Sequence, residues 1–132
     1  INNPSKLSKE ELINQAIKFH LQGNIAQAGK YYQDFINQGF KDHRVFSNYG
    51  VILKDLGKLE EAEVSTRKAI ELNPNFAIAY SNLGNLYRDL GNYSQAELLL
   101  TKAIELDSNF FQAYYKLGNL LKAPRLTNTT VG

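Results

Sequence analysis

In residues 77–90 the larger apolar side chains Tyr80, Leu83, Leu86, Tyr87 and Leu90 recur at spacings of three and four, the mark of one buried helical stripe. Gly91-Asn92 interrupts the stripe, because glycine accepts the left-handed backbone that closes a helix. A second stripe follows in Ala96, Leu99, Leu100, Ala103 and Ile104 and predicts a helix over 94–106. Ser94 is the expected N-cap of that helix, with Glu97 as its capping-box partner. The same two-stripe pattern precedes it, and Pro74 is expected to end the earlier second helix because proline cannot continue the hydrogen-bond ladder.

The recurrence has a fixed period. Asp55-Leu56-Gly57 returns as Asp89-Leu90-Gly91, and Lys68-Ala69-Ile70-Glu71-Leu72 as Lys102-Ala103-Ile104-Glu105-Leu106, both after 34 residues. One shift aligns 43–76 with 77–110 without a gap. A step back, 9–42 places Gly23 beneath Gly57, Ala28 beneath Ala62 and Tyr32 beneath Thr66. A step forward, Tyr114, Leu117 and Gly118 fall beneath Tyr80, Leu83 and Gly84, in a copy that stops at Pro124. The expected organisation is a lead-in over 1–8, three helix-pair copies over 9–42, 43–76 and 77–110, one further helix over 111–122, and a flexible tail over 123–132. Ser8 to Glu11 reads as a capping box opening the first helix. Gly50 with Ala62, and Gly84 with Ala96, are the small residues that would let paired helices approach closely.

A helix–turn–helix of 34 residues with an aromatic, Leu-Gly, Tyr, Ala, Phe and Pro at set intervals is the tetratricopeptide repeat, and this chain resembles that family. Tyr80, Leu83, Gly84, Tyr87, Ala96 and Leu100 stand at its marked positions, and Phe46, Gly50, Leu53, Ala62 and Pro74 fill most of them one copy earlier. Departures cluster at the ends: Ala16 replaces a glycine, Phe35 stands where Ala69 and Ala103 stand, and Ser108 replaces Pro74. The resemblance implies an all-α fold, a right-handed α-solenoid of antiparallel helix pairs. It also implies that the first helix of each pair lines a concave groove for a peptide or a partner helix.

Candidate groove residues are first-helix positions that the core does not need. Asn14, Asn48 and Asn82 share one register, followed by Lys116; Ser47 and Ser81 adjoin it, and Asn85 and Asn119 lie three residues beyond Asn82 and Lys116. Asparagine is unfavourable inside a helix, while its amide can pair with any peptide main chain. The column resembles the asparagine ladder of O-linked N-acetylglucosamine transferases, which implies a grip on extended peptide. Alternatively, these amides bond neighbouring helices and set the angle between repeats. Lys54-Asp55 and Arg88-Asp89 form a second column, which is either solvated charge or, with Lys116 and Lys122, a mildly basic lining that favours acidic peptide. The family's carboxylate clamp of Lys, Asn, Asn, Lys and Arg would fall on Ser47, Val51, Asn82, Gln112 and Lys116, or one copy earlier on Ile13, Ile17, Asn48, Ile78 and Asn82. One asparagine matches in each register, so a clamp is not expected. Ile13 and Ile17 could offer an apolar pocket, unless the preceding chain with Leu7 covers them.

No catalytic constellation accompanies the repeats. Cysteine is absent, and no nucleophile elbow, phosphate loop or metal-binding HExxH occurs. His20 and His43 read as cap or surface residues, His20 as a charge suited to the end of its helix. Lys plus Arg (15) against Asp plus Glu (13) leaves +2, too small a surplus to indicate nucleic acid or an anionic membrane. No apolar run is long enough for a membrane span, and no signal peptide is evident, which sets a cytoplasmic expectation. The Asn128-Thr129-Thr130 sequon is formally a glycosylation acceptor. A start at Ile1 without any Met suggests a piece of a longer protein. The helix over 111–122 has no partner after it, so Phe111, Tyr114, Leu117 and Leu121 are candidates for self-association. The expectation is a non-catalytic interaction scaffold for a protein or peptide, without cofactor or metal and with homo-oligomerisation through the last helix open to it. The alternatives are a substrate-recruiting arm of a glycosyltransferase- or sulfotransferase-like enzyme, and a self-assembling structural array.

Overall fold

A computed structural model describes residues 6–123. Among them are seven helices and no strand: α1 (Lys9–Leu21), α2 (Ile25–Asn37), α3 (His43–Asp55), α4 (Leu59–Leu72), α5 (Ala77–Asp89), α6 (Tyr93–Leu106) and α7 (Phe111–Lys122). The fold is an all-α helical repeat. The sequon and the tail from Pro124 lie outside the described residues. The chain divides between Pro74 and Asn75 into two compact units, one holding α1–α4 and the other α5–α7.

One turn recurs at the end of the first helix in each pair. At Gly57 and Gly91 φ is +80°, and the following amides, of Lys58 and Asn92, each return 2.8 Å hydrogen bonds to Leu53 O and Tyr87 O. This left-handed closure satisfies carbonyls that would otherwise end the helix unpaired, and residues with a Cβ adopt it at a cost. Gly23 makes the same turn. The chain is therefore handed straight into the next helix. Asn24 caps α2 by accepting from Gln27 N, and Asn92 caps α6 by accepting from Gln95 N at 3.5 Å. The expected cap at Ser94 is thus corrected: α6 begins at Tyr93, and Ser94 sits in its first turn. At α1 the capping box is present in both directions, with Ser8 N donating to Glu11 Oε1 at 2.8 Å and Glu11 N to Ser8 Oγ at 3.2 Å. Those hydrogen bonds hold the Glu11 carboxyl below its usual range.

Within a pair the helices run antiparallel. Ser65 Oγ donates to Phe46 O at 2.7 Å, while Gly50, further along α3, faces Ala62, further back along α4. A Cβ on Gly50 would overlap Thr66 Oγ1 and lie 3.3 Å from Ala62 O. A Cβ on Gly84 would lie 3.0 Å from Leu100 Cγ and 3.2 Å from Ala96 O. Close approach of the backbones at these two glycines is what their spacing predicted.

The core of the first unit joins Leu12, Ile13 and Ala16 of α1 to Ala28, Tyr32 and Phe35 of α2 and to Val45 and Ile52 of α3. Aromatic pairs reinforce it, Phe19 stacking on Tyr31 at 5.6 Å and Phe35 leaning on Phe40 at 5.5 Å. Ile13 belongs to this buried core, and Leu7 and Ile17 pack against it, so neither isoleucine opens an apolar pocket. The second unit gathers Ala96, Leu100 and Leu120, with Tyr87, Tyr93 and Leu117 packed around them.

Candidate functional site

In the first unit the asparagine column splits into two environments. Asn14 stands exposed on α1. Asn48 on α3 is half-buried, and its side chain hydrogen-bonds the Tyr32 hydroxyl of α2. Tyr32 is fully buried, and its oxygen also lies 3.2 Å from His20 Nδ1 on α1. With the Asn48 amide donating into the phenol oxygen, the Tyr32 proton is free to donate to an unprotonated Nδ1. Burial pushes the His20 pKa down against the opposing pull of the Asp55 carboxylate, and pushes the Tyr32 pKa up. His20 therefore joins Tyr32 and Asn48 in a polar triad across three helices, and its burial disfavours the charge expected of it at the end of α1.

The neighbouring serine positions are also structural. Ser47 and Ser81 are completely buried, which removes both from the set that could touch a ligand. Lys116 Nζ of α7 donates to Ser81 Oγ of α5 at 3.3 Å, joining the two helices. Asn82 and Asn85 are half-buried on α5, the latter with its Oδ1 sealed from solvent and lacking a hydrogen-bond partner, and Asn119 is exposed on α7. In the second column Arg88 Nη2 reaches Asp89 Oδ1 at 3.1 Å, and Lys54 Nζ lies 3.9 Å from Asp55 Oδ1. Each cation thus has an adjacent carboxylate that offsets part of its pull on an anionic ligand.

The last helix presents a divided face. Phe111 is 79% exposed, Tyr115 72% and Leu121 57%, with Tyr114 also open. Leu117 instead packs against the core of its own unit, and it leaves the self-association set. A further surface was not anticipated from sequence. Residues of α2, α3 and α4 together line a mostly apolar groove of about 740 Å³. Ile36, Phe46, Tyr49, Leu53 and Val64 line it, and Glu60 and Glu61 stand on its rim. Tyr49 hydroxyl donates to Gln33 Oε1 at 2.5 Å across one wall. Val64, apolar at a position of α4 that its own pair does not bury, was the sequence signal for this surface.

Among the described residues no group of three His, Cys, Asp or Glu could hold a metal ion, and no helix is long and apolar enough to cross a membrane. The tetratricopeptide repeat model matches residues 77–110, and a second TPR repeat model matches 50–87. No curated protein matches the chain by sequence. Among solved structures, the TPR2B-domain:pHsp70 complex of yeast Sti1 is 25% identical, covering 85% of this chain and 91% of that one, with a TM-score of 0.73. The first TPR of Spaghetti (RPAP3), bound to the HSP90 peptide SRMEEVD, is 23% identical over 86% of this chain and 90% of its own, with a TM-score of 0.78. A mutant O-GlcNAc transferase of Thermobaculum terrenum is 19% identical with a TM-score of 0.85; it covers 97% of this chain, which spans only 25% of that enzyme.

Proposed function

Because this chain is a tetratricopeptide-repeat protein, we propose that it is a non-catalytic interaction scaffold that takes an extended peptide on the polar faces of its first helices. The observation that carries the reading is made in each unit separately. Asn14 on α1 of the first and Asn82 on α5 of the second hold equivalent mid-helix positions, lie outside the hydrophobic clusters described above, and weaken the helix that contains each. Asn48, at the same register, serves the junction between α2 and α3 instead. The pHsp70 complex of the yeast Sti1 domain supports the same class of ligand for a fold of this kind.

The test is a peptide array enriched in acidic sequences, followed by titration of the best binder. Asn14→Ala combined with Asn82→Ala is expected to weaken binding by about tenfold or more, a loss of about 1.4 kcal/mol, with the melting temperature held within a few degrees. Unchanged affinity would sink the reading. The SRMEEVD peptide provides a second arm. The clamp positions offer Ser47, Val51, Asn82, Gln112 and Lys116, of which Ser47 is buried and Lys116 is engaged with Ser81. The free-acid peptide should therefore bind no tighter than its C-terminal amide, whereas a strong preference for the acid would restore the clamp.

A second reading is a substrate-recruiting arm of a larger enzyme, favoured by the way part of a glycosyltransferase covers nearly this whole chain. A catalytic domain in the full-length reading frame would support it, and a frame holding repeats alone would remove it.

A further inference from the structure

Among the described residues two apolar surfaces lack a cover, and they differ in charge. The groove of the first unit has an aromatic and aliphatic floor, Phe46, Tyr49, Leu53 and Ile36, with Val64 on its wall 70% exposed. Its charged rim is only partly balanced. Arg67 Nε is held by Glu63 at 3.1 Å and Lys68 by Glu71 at 3.1 Å, while Glu60 and Glu61 make no ion pair among the described residues. The negative charge of Glu61 reaches Tyr49 in the groove. The other surface is α7, where Phe111, Tyr115 and Leu121 stand open beside the exposed Lys122. From Ser108 to Gly132 the sequence holds Lys116, Lys122 and Arg125 and no carboxylate.

We propose that α7 of one copy docks in the α2–α3–α4 groove of a second copy, so that the chain associates head to tail. Apolar side chains of α7 would cover the groove floor, and Lys122 would meet the free carboxylates of Glu60 and Glu61. Two α7 helices facing each other would instead bring cations together with no acid between them, which disfavours the symmetric alternative. A contact between different patches is heterologous, so one docked pair still leaves one groove and one α7 to take further copies. This inference is independent of peptide binding by the first helices and uses none of the residues assigned to it.

The experiment is sedimentation velocity on the whole chain over a concentration series. The mass is expected to rise continuously past dimer, and to fall in high salt as the carboxylate–lysine attraction is screened. Val64→Glu and Leu121→Glu alter side chains exposed enough to leave the fold intact, and each should weaken association by about tenfold or more. The decisive sample is their equimolar mixture. Val64→Glu keeps a working α7 and Leu121→Glu keeps a working groove, so one productive contact remains and the mixture should stop at dimer. Formation of that mixed dimer also shows that both variants are folded. The proposal is overturned by a wild-type chain that stays monomeric, by Val64→Glu associating as wild type does, or by a mixture that yields no dimer.

Discussion

The α3/α4 pair of the first unit and the α5/α6 pair of the second share one spacing and close their narrowest point with different chemistry. Gly84 faces the aliphatic Leu100, whereas Gly50 faces Thr66, whose hydroxyl donates to Ala62 O at 2.8 Å. In α1/α2 the same registers hold Ala16 and Tyr32, both fully buried. The repeat fixes where a small residue must stand, while the residue opposite varies from aliphatic to hydroxyl to phenol. Where that residue is polar, the structure supplies a partner, as buried polar groups require: a backbone carbonyl for Thr66, and His20 with Asn48 for Tyr32.

The largest expected effect attacks the shared feature. Gly50→Leu and Gly84→Leu each force a side chain between backbones already in contact, and each should cost about 3 kcal/mol or more. Gly118 occupies the same register on α7, where an added Cβ would meet nothing within 4 Å. Gly118→Ala should therefore stabilise by up to about 1 kcal/mol, through helix propensity alone. Amide exchange, read separately for each unit, checks all three: Gly50→Leu should expose the first unit, Gly84→Leu the second, and Gly118→Ala neither. Equal losses at all three positions would mean that register alone, and not the facing helix, decides the cost.

An effect of middle size separates the two units. Tyr32→Phe leaves His20 and Asn48 without the hydroxyl they share, and should cost about 1–3 kcal/mol in the first unit alone. The same triad makes that unit sensitive to acid. Burial lowers the folded pKa of His20 below its ordinary 6.5, so folding favours the neutral ring. Its contribution is fully present above 6.5 and is lost as pH falls from there through the folded pKa. Exchange protection of α1–α3 should fall as pH is lowered below 6.5, and His20→Gln should flatten that fall. The second unit contains no histidine, so its helices should show no matching slope.

These differences mark where the sequence was readable. The bounds of α7, the start of α3 at His43, the Ser8 capping box and the close approach at Gly50 and Gly84 followed from local signals. Each depends on one helix face or on residues within a turn of one another. The triad was not legible, because it brings His20 to Tyr32 across 12 residues and Asn48 to the same oxygen, which only packing decides. The different surroundings of Asn14, Asn48 and Asn82 were hidden for the same reason: identical residues at identical spacing meet different neighbours. The groove escaped notice because it belongs to three helices at once, and no single stripe encodes it.

The smallest expected effect concerns the start of each second helix, where the cap expected for α6, Ser94, and the one observed, Asn92, differ. Asn24, Lys58 and Asn92 share a register and nearly the same backbone, with φ −84°, −88° and −92° and ψ 78°, 71° and 75°. The asparagines cap α2 and α6, whereas α4 begins without a side-chain cap. Lys58→Asn should therefore gain about 1 kcal/mol in the first unit, as its Oδ1 takes up the Glu61 amide, and Asn92→Lys should lose a similar amount in the second. Ser94→Ala should change stability by less than about 0.5 kcal/mol, because Ser94 lies inside the helix. Thermal unfolding of the three variants settles the assignment: a Ser94→Ala loss as large as that of Asn92→Lys would move the cap back to Ser94. The opposite result would show that the Gly91 turn selects the cap, since that turn delivers the chain to Asn92 with its backbone already set for the next helix.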